Sequence, residues 1–122
     1  MSHELVCMLT ESVENSILVI RGKKVILDYV LAKRYGVATR VLNQAVKRNL
    51  ELFPPDFMFQ LTMDEARALE AKECQGKHIR CRPYAFTEHG ISMLSSVLRS
   101  ERAIQVNIQI MRTFVRLREL LA

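Results

Sequence analysis

Several kinds of segment are absent from the sequence, and each absence argues against a class of protein. No uninterrupted apolar run approaches the roughly 20 residues that a membrane-spanning helix requires. The first residues contain no basic leader followed by an apolar stretch, so we recognise no secretory signal. The three cysteines form an odd set, which favours reduced thiols over a disulfide framework. We therefore expect an intracellular protein with no membrane partner.

The residue patterns of catalytic and metal sites are also missing. Glu88 and His89 suggest acid–base chemistry, but no nucleophile, phosphate-binding loop or second carboxylate converges with them in the sequence. Two cysteines and two histidines between residues 74 and 89 have the spacing C-x3-H-x2-C-x7-H, which lacks the closely paired ligands of common structural zinc sites. We therefore expect no enzymatic activity, no bound metal and no cofactor.

Repeats, low-complexity tracts and obvious linkers are absent too. At 122 residues the chain is long enough for one domain with a single modest core. We expect residues 1–15 to be loosely structured and residues 16–122 to form that domain. The last predicted helix reaches the end of the chain without a cap, so we interpret the domain as the N-terminal part of a longer protein.

Acidic residues are scarce in one segment of an otherwise balanced chain. The whole sequence has a net charge of +5, whereas residues 21–49 contain eight basic residues and one acid, Asp28, for a net charge of +7. The remainder is therefore slightly acidic. A positive field confined to one segment suits a polyanionic partner better than it suits general solubility.

The first third of the chain predicts a β-hairpin followed by two helices. Short β-branched stretches at residues 17–20 and 25–27 flank Gly22, which supplies the turn. Asp28 stands where an N-cap is expected, and residues 29–35 have the pattern of a short helix.

The second helix is separated from the first by a glycine. Gly36 ends the first helix because glycine takes a positive φ without strain. Thr39 is the expected cap of the second helix, which runs to about Asn49.

The rest of the chain predicts a mixed architecture in which helices dominate. Thr62, Thr87 and Ser100 are the expected caps of three further helices, and Thr62 begins a capping box with Glu65. Two short strands are expected at residues 57–61 and 84–86. Three helices are expected at 63–72, 88–98 and 101–122, and a loop is expected at 73–82. The predicted fold class is α+β: a small helix-rich domain with a helix-turn-helix-like unit, an N-terminal hairpin and a long C-terminal helix.

The second helix has two chemically distinct sides. At about 100° per residue, Leu42, Ala45, Val46 and Asn49 fall on an inward side, with Val41 at its edge. The opposite side carries two cations, two amides and no carboxylate, namely Arg40, Asn43, Gln44 and Lys47. An ordinary exposed helix mixes charges of both signs, so this face is unusual.

Three interpretations of this face compete: an ordinary solvated surface, a protein-binding surface and a surface that reads nucleic acid. Arginine can donate two hydrogen bonds to guanine, and asparagine or glutamine can bind adenine, so we predict that this face contacts base edges. A small residue at Ala32 and a turn at Gly36 are typical of a helix-turn-helix, whose second helix enters the major groove. The side chains predicted to contact phosphates are Lys23, Lys24, Lys33, Arg34, Thr39 and Arg48.

Two alternatives to double-stranded DNA remain. The protein-interaction alternative is that the basic face binds a repressor or another acidic partner. RNA binding is the weaker alternative, because few aromatic residues are interleaved with the cations to stack on bases.

The last predicted helix is apolar over a wide arc. Part of that arc must face the core, and the rest requires a second covering surface. We expect a homodimer or a missing C-terminal region to cover a line of four residues, Ile104, Ile108, Met111 and Val115. A homodimer is favoured because operators and the proteins that read them commonly share two-fold symmetry.

Four stretches in sequence order resemble a known family: IRGKKVILDYVLAKRYGVATRVLNQAVKRN, FPPDFMFQLT, PYAFTEHGISMLSSVLRS and RAIQVNIQIMRTFVRLRE. The family is the open-reading-frame-six N-terminal domain of phage antirepressor-like proteins, which is grouped with the KilA-N and Bro-N domains. The resemblance covers roughly residues 15–119. It implies a DNA-binding module of temperate phages, prophages and bacteria, which acts in transcription regulation in the cytoplasm of the bacterial host cell.

Overall fold

The computed structural model describes residues 13–70 and 82–121, and these residues have an α+β architecture. Four strands form one antiparallel sheet in the order β1–β2–β4–β3. The strands are β1 (Leu18–Ile20), β2 (Lys23–Leu27), β3 (Met58–Gln60) and β4 (Tyr84–Thr87). The helices are α1 (Asp28–Tyr35), α2 (Thr39–Lys47), α3 (Met63–Glu70), α4 (Glu88–Leu98) and α5 (Glu101–Leu121), with a 3-10 turn at Leu50–Leu52. The predicted class, hairpin and long C-terminal helix are confirmed.

The hairpin closes through a two-residue turn. Arg21 and Gly22 both have positive φ angles, 56° and 75°, as the favoured two-residue hairpin turn requires. Arg21 crosses the sheet edge, where its Nε donates to Glu65 at 2.8 Å and its guanidinium lies 4.4 Å from the centre of the Phe59 ring. The hydrogen bond from Arg21 lowers the pKa of Glu65 to about 2. Arg21 therefore ties the hairpin to α3.

The two faces of the sheet are buried against different layers. Ile26 and Phe86, which are paired across β2 and β4, face the main core beneath α1, α2, α4 and α5. Val25 and Ala85 point to the other face and join a smaller cluster that includes Leu69 of α3. This alternation follows from the two-residue period of a strand. The sheet is thus the middle layer of the domain.

The core extends into the segment that was expected to be loose. Residues 13–16 form a helical turn, and Val13 is fully buried in the main core. The packed domain therefore begins before residue 16. The predicted loop at 73–82, with Cys74, His78 and Cys81, lies outside the described residues except for Arg82.

Two of the predicted helix caps are wrong. Leu27 is the N-cap of α1, and Asp28 is its first helical residue with a buried carboxyl group. Ala38 caps α2, and Thr39 makes no capping hydrogen bond. Leu27 and Ala38 are not residue types that are preferred at N-caps. Each has the extended backbone of an N-cap without a capping side chain, so the preference for polar caps misplaces both helix starts by one residue.

The other predicted caps are confirmed in position. Thr62 and Glu65 form the reciprocal capping box, with hydrogen bonds of 2.8 and 3.1 Å, and Ser100 Oγ accepts from Ala103 N–H at 3.0 Å. Thr87 stands at the N-cap of α4 but makes no cap hydrogen bond. Its hydroxyl instead donates to the Asp56 carbonyl at 2.9 Å.

Candidate nucleic-acid interface

The predicted two-sided character of α2 is present in the structure. Leu42 and Val46 are buried, and α2 packs on α1 and α4. The side chains on the outer surface are Arg40, Gln44, Lys47 and Arg48, all exposed. The helical period of the sequence therefore assigned Leu42 and Val46 to the inward side correctly, whereas Val41, which was placed at the inward edge, is exposed.

The outward cations of α2 form no ion pair in the part of the chain that the structure describes. Within residues 13–70 and 82–121, no side chain forms a hydrogen bond or ion pair with Arg40, Gln44 or Lys47. The ion pairs found in the described part of the chain lie away from α2, at Arg21–Glu65, Arg67–Asp64 and Arg118–Glu88. The donors on this face are therefore available to an external partner that carries acceptors.

Asn43 occupies a different environment from the rest of its predicted set. It is half-buried, and its Nδ2 donates to Asp28 Oδ2 at 3.0 Å. The same oxygen accepts from the Tyr84 backbone N–H at 3.2 Å. Burial raises the pKa of Asp28, and these hydrogen bonds oppose that rise by favouring the carboxylate. The buried carboxyl group thus joins α1, α2 and β4, and it holds the amide of Asn43 in one orientation.

The turn between α1 and α2 is stabilised from the far end of the sequence. Gly36 has φ 76°, and the N–H of Val37 donates to the Ala32 carbonyl at 3.0 Å, which confirms the predicted glycine stop. Arg102 Nε of α5 donates to the Arg34 carbonyl at 2.8 Å. A cation at the carboxyl end of a helix also interacts favourably with its dipole. Sequence reasoning did not identify Arg102, because nothing local to it indicates contact with the turn.

The predicted phosphate contacts near α2 differ in exposure. Lys33 and Arg48 are exposed, whereas Thr39 and Arg34 are half-buried. A terminal nitrogen of Arg34 donates to Ser16 Oγ at 3.2 Å, and burial lowers the pKa of its guanidinium. Lys33 and Arg48 are therefore the more accessible of the four.

The hairpin lysines lie in a separate part of the molecule. Lys23 and Lys24 line a cavity of about 330 Å³ with His89 and Arg118, near the carboxyl end of α5. Arg118 binds Glu88 in the same cavity at 2.5 Å. Arg102, at the α1–α2 turn, is separated from Arg118 by a rise of roughly 24 Å along α5, at about 1.5 Å per residue. The predicted phosphate contacts therefore fall into two groups rather than one.

The C-terminal helix presents the apolar line expected from its sequence. Ile104, Ile108 and Val115 are 46%, 39% and 43% exposed, and Met111 is half-buried. Ile104, Ile108 and Met111 border a shallow groove whose other wall includes Ser92 of α4. The opposite side of α5, which includes Ile110, is buried in the core.

Neither a membrane span nor a metal cluster is found in the part of the chain that the structure describes. There, no helix is both long enough and apolar enough to cross a bilayer. The same residues include no group of three histidine, cysteine, aspartate or glutamate side chains placed to hold a metal ion.

Comparisons with known proteins identify the family. The family model of the ORF6N domain matches residues 15–97, which include the hairpin, α1, α2, the remaining strands and most of α4. No curated protein and no solved structure matches the chain. The match spans more than half of the 122 residues and includes the whole basic segment. The chain therefore belongs to the ORF6N domain family, a phage-type family of regulatory or DNA-binding proteins.

Proposed function

We propose that the protein binds double-stranded DNA sequence-specifically and regulates transcription as a phage antirepressor-type protein, without catalysis. The observation that carries the proposal is the outer face of α2. It presents two arginines, a lysine and a glutamine, and none of them has an acidic partner among the described residues. DNA supplies both the phosphates that neutralise such a face and the base acceptors that its donors can read.

The arrangement of α1, its turn and α2 supports a helix-turn-helix mode of binding. Ala32 is buried where the two helices pack, and Gly36 allows the chain to reverse within three residues. In this mode α2 lies in the major groove, where Arg40 can donate to guanine and Gln44 to adenine. Lys33 and Arg48 lie beside these residues and would meet the phosphate backbone.

The hairpin lysines would contact a different stretch of the duplex. Lys23 and Lys24 lie near Arg118, which is roughly 24 Å along α5 from Arg102. The hairpin lysines and the turn before α2 thus lie near opposite ends of α5. These lysines would therefore add affinity without contributing to the bases that α2 reads.

Truncating Arg40 and Lys47 tests the proposal. We expect Arg40→Ala to weaken binding to a selected duplex by about 1–3 kcal/mol and to relax the base preference at one position. Lys47→Ala should weaken binding further and make log affinity less steep against log salt, by about 0.9 if Lys47 neutralises one phosphate. Fluorescence anisotropy at several salt concentrations measures both effects, with duplexes selected from a random pool.

Arg67→Ala is the matched control for these variants. Arg67 is also an exposed arginine on a helix, but it lies on α3, at the opposite face of the sheet, and pairs with Asp64. The control should bind as the wild type does. Unchanged binding by the Arg40→Ala/Lys47→Ala double variant would reject the surface. An absence of duplex binding, with co-elution of a cognate repressor, would favour the protein-interaction alternative.

We further propose that a second copy of this chain covers the apolar line on α5. In an antiparallel two-fold pair whose axis passes between Ile108 and Gln109, the residues before the axis face the residues after it on the partner. Glu101 then lies opposite Arg116, and Gln105 opposite Arg112, because these four residues share one flank of the line. Glu101 and Arg116 therefore form an oppositely charged pair on each side of the axis, and the two-fold axis would relate two DNA-reading helices.

The variant Ile108→Glu tests this dimer. We expect the wild type to have the mass of a dimer in multi-angle light scattering and the variant to have that of a monomer, because the substitution buries two unpaired carboxylates at the centre of the contact. Val19→Glu, at an exposed valine of β1, should remain dimeric. A wild-type chain that is monomeric at high micromolar concentration would contradict the dimer and leave the line to a repressor or to a further segment.

A further inference from the structure

The geometry points to a thymine-reading pocket at the carboxyl end of α2, an inference that rests on the proposed DNA binding. A cavity of about 120 Å³ opens there between α2, the 3-10 turn and the sheet. It is lined by Asn43, Val46, Lys47, Leu50, Met58 and Tyr84. Lys47 belongs to the outward face of α2, so a duplex on that face would also meet the rim of this cavity.

The lining of the cavity is mostly apolar, although it borders the basic outward face of α2. Leu50 is 55% exposed, and the half-buried Met58 and Tyr84 form the wall on the sheet side. Phosphate groups do not reward apolar contact of this kind, because they bind through charge and hydrogen bonds. The major-groove edge of DNA presents one apolar group, the C5-methyl of thymine. A thymine methyl in the cavity would remove Leu50 from water while Lys47 stays near the backbone.

Asn43 gives the cavity a polar wall of fixed orientation. One hydrogen of its amide is donated to Asp28, so its Oδ1 and its second hydrogen remain for a base. Because Asp28 is buried and also accepts from the Tyr84 N–H, the amide is held in place before DNA arrives. A fixed amide beside an apolar cavity suits an adenine next to a thymine.

The experiment replaces thymine with deoxyuridine, which removes only the methyl group. A duplex is selected from a random pool with the full chain, and each thymine in turn is then replaced. We expect one or two replacements to weaken wild-type binding about fourfold, the value for one buried methyl group at 25 °C. In Leu50→Ala the same replacements should cause little or no loss. Leu50 is exposed, so this truncation should leave the fold intact, which thermal melting confirms.

Val41→Ala supplies the matched control, because Val41 is an exposed apolar residue of α2 that does not line the cavity. This variant should retain the wild-type difference between thymine and deoxyuridine. Salt-dependent binding of the wild type with no loss at any replaced thymine would overturn the pocket and leave DNA binding standing. A loss that persists in Leu50→Ala would also overturn it. Failure to select any duplex would overturn both the pocket and the proposed function.

Discussion

Replacing Gly90 with alanine is expected to destabilise the fold by about 3 kcal/mol or more, because the added methyl group has no space. A Cβ atom at Gly90 would lie 2.1 Å from the Phe57 carbonyl oxygen. That oxygen cannot move away easily, since it belongs to the backbone and accepts from the Thr87 N–H at 3.0 Å. Gly90 lies in the first turn of α4, and Phe57 directly precedes β3. The close approach therefore holds the start of α4 against the start of β3.

Urea unfolding followed by circular dichroism measures this effect, with Gly22→Ala as the control. Gly22 has φ 75°, but a Cβ there would meet nothing within 4 Å. Its substitution therefore costs only the strain of a left-handed backbone, about 1 kcal/mol. Gly90 lies within a helix and has no such strain, so its cost comes from the clash alone. Equal or smaller destabilisation by Gly90→Ala than by Gly22→Ala would contradict this close contact.

Replacing Asn107 with alanine is expected to reduce the free energy of unfolding by about 3 kcal/mol. Asn107 is buried on α5, where its Oδ1 accepts from the Tyr35 hydroxyl at 2.5 Å and its Nδ2 donates to the Ile91 carbonyl at 2.6 Å. The variant leaves the buried hydroxyl of Tyr35 without its acceptor. Burial raises the pKa of Tyr35 and keeps the phenol neutral, so the hydroxyl cannot relieve this loss by ionising.

A double-mutant cycle with Tyr35→Phe separates this hydrogen bond from the general loss of packing. Tyr35→Phe removes the hydroxyl and leaves the ring, so we expect the double variant to be more stable than the sum of the single effects by about 1–2 kcal/mol. Thr113→Ala is the control on the same helix, because Thr113 is buried and, among the described residues, its hydroxyl bonds to its own helix at the Gln109 carbonyl. Additive effects of Tyr35→Phe and Asn107→Ala would show that the two side chains do not interact.

Contacts of Asn107 and Arg102, both on α5, connect the core to the proposed DNA-reading helix. Asn107 joins α5 to α1 and α4, and Arg102 on the same helix holds the turn that precedes α2. Helix α2 itself buries only Leu42 and Val46 fully. Its position therefore depends on the elements that surround it, and a loosened α5 should weaken base selectivity before it abolishes phosphate binding.

The sequence by itself determined the elements and the two sides of α2. Leu42 and Val46 recur at helical spacing, and Gly36 and the Thr62–Glu65 capping box depend on neighbours within a few residues. The basic segment at residues 21–49 is likewise a property of the chain alone. Signals of this kind are local, so they can be read without the fold.

Only the tertiary structure decided which of these side chains bond to distant parts of the chain and which basic side chains share one surface. Asp28 looked like a helix cap, but its carboxyl group bonds to Asn43, 15 positions later, and to Tyr84, 56 positions later. Arg102 reaches the α1–α2 turn from 68 positions away, and Lys23 lies at the far end of α5 from that turn. Sequence periodicity has no information about such pairs, because the chain brings them together only when the sheet and α5 have packed.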